Sequence, residues 1–414
     1  MARGETREQA ARTPFREVFA VAEFRALWTA QLLSVVGDQL ARVALTMLVY
    51  DRTRSALLAA ITFAVTIVPT FIGGLTLAWL ADRYPRRAVM IGCDLVRGVI
   101  VLLMVIPGLP LAILVSLLFL VTLIEAPFTS ARAAIFPDVL SGDRYVTGTA
   151  VTLTTYQFAQ ILGFVGGGAV VGLFGTRASL IVDAVTFAGS ALVVRVWVRP
   201  RLAAAGIHRE SVRLAGVFAG ARLVLARPAL RIPLLFGVLA AFYNAPEGVA
   251  APLAHALGGG AATVGVILAA NSLGQTAGAI TFSRFVAPAT RLRSMGPMAI
   301  SACAVLVLFF WEPDLAVCLL ILIASGLCAA YQLAANAAFV RAAPQEQRSQ
   351  AFGLAQGVMN LGQGVVMILA GAVAEHHAPA RAIAVCGAVG AMVAVAVAVS
   401  AARGRLTSER HQHT

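Results

Sequence analysis

Long apolar stretches recur about every 30 residues along this chain, separated by short polar connectors. A bilayer core about 30 Å thick takes roughly 20 residues of helix, so each stretch is long enough to cross it. The pattern predicts twelve spans at 25–49, 56–80, 87–106, 110–135, 146–174, 178–197, 231–254, 262–286, 293–311, 315–339, 350–373 and 380–401. Pro107, Gly108 and Pro110 punctuate one junction, and Glu312, Pro313 and Asp314 another. The expected fold is an all-α polytopic membrane protein.

Composition agrees with lipid as the main solvent, since 59% of the 414 residues are hydrophobic and only 12% are charged. The first 25 residues mix Arg3, Arg7, Arg12, Arg16 and Arg25 with Glu5, Glu8, Glu17 and Glu23, and lack the apolar core and cleavage site of a signal peptide. The five cysteines (Cys93, Cys303, Cys318, Cys328 and Cys386) stand singly in apolar stretches and read as packing residues, with no metal set.

A net charge of +13 on a soluble protein would suggest nucleic acid, but its distribution here points to membrane lipid instead. Every basic residue is Arg. With the N-terminus in the cytoplasm, Arg52, Arg54, Arg177 and Arg381 lie outside, and Arg42, Arg97 and Arg132 lie within spans. All other arginines then fall inside, a strong positive-inside bias that also returns the C-terminus to the cytoplasm of a cell-membrane protein.

The longest connector divides the chain near its midpoint. The expected organisation is a cytoplasmic segment 1–24, a six-helix bundle 25–197, a linker 198–230, a second six-helix bundle 231–401 and a tail 402–414. In the linker, Leu214, Val217, Phe218, Ala221 and Leu225 have helical spacing, as in a helix lying on an anionic membrane face; a plain solvated linker is the alternative. Adding 204 carries Gly74 to Gly278, Arg87 to Arg291, Arg144 to Arg348 and Gly167 to Gly371. One offset serving different helices supports a duplication, with binding between the halves near the midplane.

Between the second and third spans stands GGLTLAWLADRYPRR, residues 73–87. Gly74 would allow close helix approach, Asp82 puts a carboxylate at the membrane edge, and Arg83, Arg86 and Arg87 form a cationic cluster. A carboxylate there can face another helix's positive end and latch one conformation. These five residues match the signature of the major facilitator superfamily, which the sequence therefore resembles. GDQLARVAL (37–45), DLVRG (94–98), ARAAIFPDVL (131–140) and VDAVTFAGSALV (182–193) resemble its drug:proton antiporter group, which includes macrolide exporters.

The resemblance implies two pseudo-symmetric six-helix halves that rock to give alternating access, with efflux driven by the proton gradient and no other cofactor. Two features depart from the pattern. Val286 stands where the repeat would place a second Asp82, and the fifth span carries Gly163, Gly166, Gly167 and Gly168 without the proline of the antiporter motif.

Ionisable side chains inside spans are costly and start as functional candidates. Asp38 lies mid-membrane, and Arg42 at i+4 could be its switching partner or a structural bridge. Glu125, beside Pro127 and with no base within a turn of its own helix, is the first candidate for proton coupling or for binding a cation. Asp94 and Arg97 have i, i+3 spacing and read as a local bridge, with a part in proton transport as the alternative. Arg132 occupies a position where the superfamily's antiporters carry a functional arginine, and its repeat partner is Asn336. Asp183 is expected to cap a helix or bridge to Arg177. Glu247 follows Pro246 in FYNAPEG, where a broken helix could gate the outside or be solvated as a loop.

For the substrate cavity the candidates are amides and aromatics: Tyr156, Gln157, Gln160, Phe242, Tyr243, Asn244, Asn271, Gln275, Tyr331, Gln332, Asn336, Asn360 and Gln363, joined by Glu247. Several recur at i+3 or i+4, though each alone could serve only to bond helices together. No phosphate loop, metal cluster or nucleophile triad suggests an enzyme, and the histidines lie in connectors or the tail. The function expected is secondary transport by a monomer, with export of small amphipathic molecules ahead of uptake symport. A transport-inactive receptor or scaffold is the reading from another class.

Overall fold

In the computed structural model, residues 15–201, 214–344 and 347–412 are described, and among them the structure is helical throughout, with no strands. Ten segments are long and apolar enough to cross a bilayer. One of these, Asp143–Trp197, is broken at Gly175, whose φ of 81° and ψ of 170° lie outside the helical region; it therefore makes two crossings. The helix Arg86–Met104, long enough to cross but carrying Arg87, Asp94 and Arg97 among its apolar residues, completes the set of twelve. Its pattern is inverted. Asp94 and Arg97 are buried, while Leu95, Val99, Leu102 and Ile106 are about half exposed, as on a lipid-facing surface.

Local chemistry sets the turns. Arg54 takes a left-handed conformation (φ 54°) to end the first span Ala22–Thr53, and Ser55 Oγ then caps the second by accepting from the Leu58 amide at 3.1 Å. Asp314 caps the tenth in the same way, accepting from Val317 N at 3.0 Å. The seventh crossing is discontinuous: Pro228–Val238, Ala240–Tyr243, Ala245–Gly248 and Ala250–Ala256 follow one another with breaks at Leu239, Asn244 and Val249. Pro246, which cannot donate a backbone hydrogen bond, lies within this stretch.

The halves meet through glycines near the face opposite the N-terminus. A Cβ on Gly168 of the fifth span would stand 2.7 Å from the Ala261 carbonyl and 3.0 Å from Gly265 Cα of the eighth. A Cβ on Gly371 of the eleventh would stand 2.4 Å from Ala60 of the second. Beside these contacts the Glu375 carboxylate accepts from Ser55 Oγ and Leu57 N, each at 3.0 Å, and Arg54 lies 3.1 Å from His255. This far face is closed.

The helix Leu214–Ala226 occupies part of the midpoint connector. Gly220 packs on the Gln350 backbone and Val224 is buried, while Leu225 is exposed. The face turned to the protein thus runs through 220 and 224, one position away from the expected 221 and 225. Leu214, Val217 and Phe218 have side chains outside the described set, as do residues 202–213.

In the signature segment, the close approach falls to Gly73. A Cβ there would meet the Leu123 carbonyl at 2.2 Å, whereas Gly74 has open space around it. The second half makes a like contact one position along: Gly278, which is Gly74 plus 204, packs on Leu327, which is Leu123 plus 204. Asp82 and Arg83 are exposed, and Asp82 has no hydrogen bond or ion pair among the described residues. The expected latch is therefore not engaged with the far face closed. Arg86 instead bonds Ala134 O (2.8 Å) and Asp138 (3.0 Å), and Arg87 bonds Arg195 O, tethering the loop to the ends of the fourth and sixth spans.

Candidate functional site

A cavity of about 290 Å³ lies between the halves at mid-membrane depth. From the first half it is lined by Arg42, Thr66, Thr70, Glu125, Tyr156, Gln157 and Gln160. From the second come Asn244, Glu247, Ser272, Gln275, Gln356, Asn360 and Gln363. Ile67 and Phe164 are its apolar lining. Each half thus contributes one carboxyl, and Arg42 is the one cation among the lining residues.

The broken seventh crossing explains how Glu247 reaches this cavity. The breaks turn Asn244 and Glu247 inward toward the eighth span, where Asn271 Nδ2 bonds Asn244 Oδ1 at 3.0 Å and Glu247 Oε1 at 3.4 Å. Gln275 Nε2 holds the same Asn244 oxygen at 3.1 Å. Glu247 is therefore part of the central site and not a solvated outer loop. On the opposite wall Thr70 Oγ1 lies 3.4 Å from Glu125 Oε2, and Gln160 Nε2 donates to Tyr156 Oη at 3.1 Å.

Behind the first-half wall the charges pair differently from their order along the chain. Asp38 does not take Arg42; it takes Arg97 of the third span at 2.7 Å. Arg42 donates to the Thr66 carbonyl at 3.2 Å and faces the cavity. Arg97 is 1% exposed, lies 4.3 Å over the Phe187 ring, and also reaches Ser34 Oγ at 3.3 Å. Asp94 accepts from Ser190 Oγ at 2.6 Å, so the expected Asp94–Arg97 bridge is replaced by two interhelical bonds. The reason is spatial: i, i+3 and i, i+4 neighbours share a surface, but a facing helix can present a better-placed partner. Arg132 bonds Gln31 on the first span and lines neither this cavity nor the smaller one beside it.

Of the expected cavity residues, Tyr156, Gln157, Gln160, Asn244, Glu247, Gln275, Asn360 and Gln363 line it. The others do not. Asn271 is buried and holds Asn244 and Glu247; Tyr331 is buried with its hydroxyl on Phe236 O at 3.1 Å; Tyr243 is buried; and Phe242 packs against Gly390. Gln332 and Asn336 line a second, mainly apolar cavity of about 360 Å³ between the seventh, tenth and eleventh spans, with Leu234, Phe339, Phe352 and Met359. Gln356 lines both cavities. It was missed in the sequence although it lies one turn before Asn360, to which its amide donates at 2.8 Å. Thr66, Thr70 and Ser272 were missed because single hydroxyls in apolar helices commonly bond their own backbone.

The profile of the Major Facilitator Superfamily matches residues 27–246 and 234–412. A search among curated proteins finds none that matches. Among solved structures, a POT family transporter in complex with a thioalcohol-conjugated peptide aligns over 92% of this chain and 96% of its own, with a TM-score of 0.72 and 11% identity. The nucleoside transporter NupG aligns over 91% and 98%, with a TM-score of 0.68 and 16% identity. A bacterial homolog of the human lysosomal transporter Spinster, inward-facing and occupied, aligns over 94% of both chains with a TM-score of 0.67 and 15% identity.

Proposed function

The chain belongs to the Major Facilitator Superfamily, and from that premise we propose that it is a proton-coupled exporter of small amphipathic molecules with a polar or cationic head. The observation that carries this reading is the pair of carboxyls, Glu125 and Glu247, facing one cavity from opposite halves. With Arg42 as the single cation of the lining, the site favours a positive or strongly hydrogen-bonding group. The apolar cavity that shares Gln356 offers room for a hydrophobic body.

A carboxylate that holds a cation cannot at the same time hold a proton, so competition at Glu125 couples the two flows. Cargo entering from the cytoplasm displaces the proton, and the proton arriving from outside displaces cargo once the halves have rocked. Asp38 and Arg97 sense this change through the electrostatic field, since both line one small cavity with Glu125. Rocking requires the glycine contacts and the Glu375–Ser55 clasp at the far face to part. On this reading the clasped face is extracellular, the signature arginines lie on the cytoplasmic side, and the exposed Asp82 latches only when the far face opens.

Uptake symport is the second reading. The density of amides around the cavity favours it, and the solved relatives include a structure described under proton-dependent oligopeptide transporters. Purified protein in liposomes separates the two when a panel of amphipathic amines and short peptides is offered under an imposed proton gradient. Export requires cargo and protons to move in opposite directions; cotransport in the same direction would establish symport. Unchanged flux after the gradient is collapsed would refute coupling in either direction.

A further inference from the structure

We propose that Asp183 is a second exchangeable proton site, working with Arg97 behind the cavity wall; this rests on the proton-coupled reading above. Asp183 was expected at a helix end near Arg177. It is instead fully buried, facing Gly37 of the first span so closely that a Cβ there would lie 2.4 Å from its Oδ1. Neither of its carboxyl oxygens receives a hydrogen bond. Thr186, the nearest hydroxyl, donates its single hydrogen to the Asp183 backbone carbonyl at 2.7 Å, leaving lone pairs to accept from an acid O–H. An ionised carboxylate so placed would be a buried charge without a donor, whereas a carboxylic acid has an acceptor at hand.

The surroundings supply a route and a switch. Asp183 lines a cavity of about 20 Å³ together with Asp38 and Arg42 of the first span, Arg97 of the third and Glu125 of the fourth. That volume accommodates one water molecule, enough to relay a proton from the Glu125 side. Asp94, the remaining titratable group of the cluster, is engaged by Ser190. Arg97 binds Asp38 while stacking on Phe187, and Phe187 lies one helical turn from Asp183 on the same face.

In the cargo-bound limb Asp183 gives up its proton to the bridging water as Arg97 swings along Phe187 to pair with it, and Arg42, one turn along the first span and lining the same small cavity, takes over Asp38. In the return limb Arg97 goes back to Asp38 and Asp183 takes a proton from the water. The cluster holds one proton fewer in the cargo-bound limb than in the return limb, so transport moves the Glu125 proton and the Asp183 proton together.

The test is the cargo gradient at static head in liposomes, with the membrane potential clamped to zero and the pH difference varied. Wild-type protein is expected to build about a 100-fold gradient per pH unit and Asp183→Asn about a 10-fold one. Wild type independent of the pH difference would overturn proton coupling itself. A wild-type slope that Asp183→Asn leaves unchanged would overturn this inference alone.

Should Asp183→Asn fail to fold, infrared spectra of wild type and Asp38→Asn decide the matter. Asp38→Asn should lose the C=O intensity of one protonated carboxyl relative to wild type, because Arg97 is then free to ionise Asp183, while the Glu125 contribution is common to both. Equal protonated-carboxyl intensity in the two proteins would refute the switch.

Discussion

The far-face contact at Gly168 gives the sharpest prediction about motion. A Cβ there would meet the Ala261 carbonyl at 2.7 Å, Gly265 Cα at 3.0 Å and Ala262 Cα at 3.1 Å. All three are backbone atoms of a continuous helix and cannot rotate away. Overpacking of this kind costs about 1–3 kcal/mol, and the cost falls only on the conformer in which the fifth and eighth spans touch. Gly168→Leu should therefore shift the ratio of far-open to far-closed protein by about 5- to 150-fold. Spin labels at Arg177 and Arg381, both exposed and in opposite halves near this face, would report the shift as a longer distance population. Gly166→Ala is the control, because a Cβ at Gly166 meets nothing within 4 Å. Equal distance distributions for Gly168→Leu and wild type would refute the claim that this contact closes the face.

Glu125→Gln should abolish proton-driven transport while leaving cargo exchange measurable in counterflow; proton-driven flux at the wild-type rate would remove Glu125 from the coupling role. Arg97→Met should destabilise the protein by about 3–5 kcal/mol because Asp38 loses its buried partner, and Arg97→Met with Asp38→Leu should recover most of that in a thermal-unfolding assay. Glu375→Gln, which weakens an exposed clasp, should open the far face by no more than a few-fold in the same label measurement, a cost of about 1 kcal/mol or less. Asp82→Asn should leave the melting temperature of the far-closed form within the equivalent of about 0.5 kcal/mol, since its carboxylate has no partner there among the described residues.

Several elements were legible in the chain because they depend on composition over one turn or one span. Residues 56–80 are apolar enough to cross lipid whatever they touch, and the helices found start and end within a few residues of the expected limits, except the last, which continues from the expected end at 401 to Gln412. The breaks in the seventh crossing were foreshadowed by Pro246, and Gly175 falls in the junction expected between the fifth and sixth spans. Polar residues at i, i+3 and i+4, such as Tyr156, Gln157 and Gln160, did mark a cavity wall, because only a protein-facing or wet surface holds them in lipid.

Partner choice was decided elsewhere. Arg42 and Arg97 each have an acid at helical spacing, yet Arg97 joins Asp38 across spans and Arg42 turns to the cavity. Gly73 and not Gly74 makes the close contact, a difference of one residue that rotates the contact by about 100° around a helix with 3.6 residues per turn. Asp183 looked like a helix-end residue until the first span was packed against it. The sequence by itself determined that the chain must cross lipid as paired sets of helices and which groups were too costly to leave in lipid unpaired. Only the tertiary structure decided which helix answers each charge, because hydrogen bonds act over about 3 Å while chain position sets proximity only within a turn.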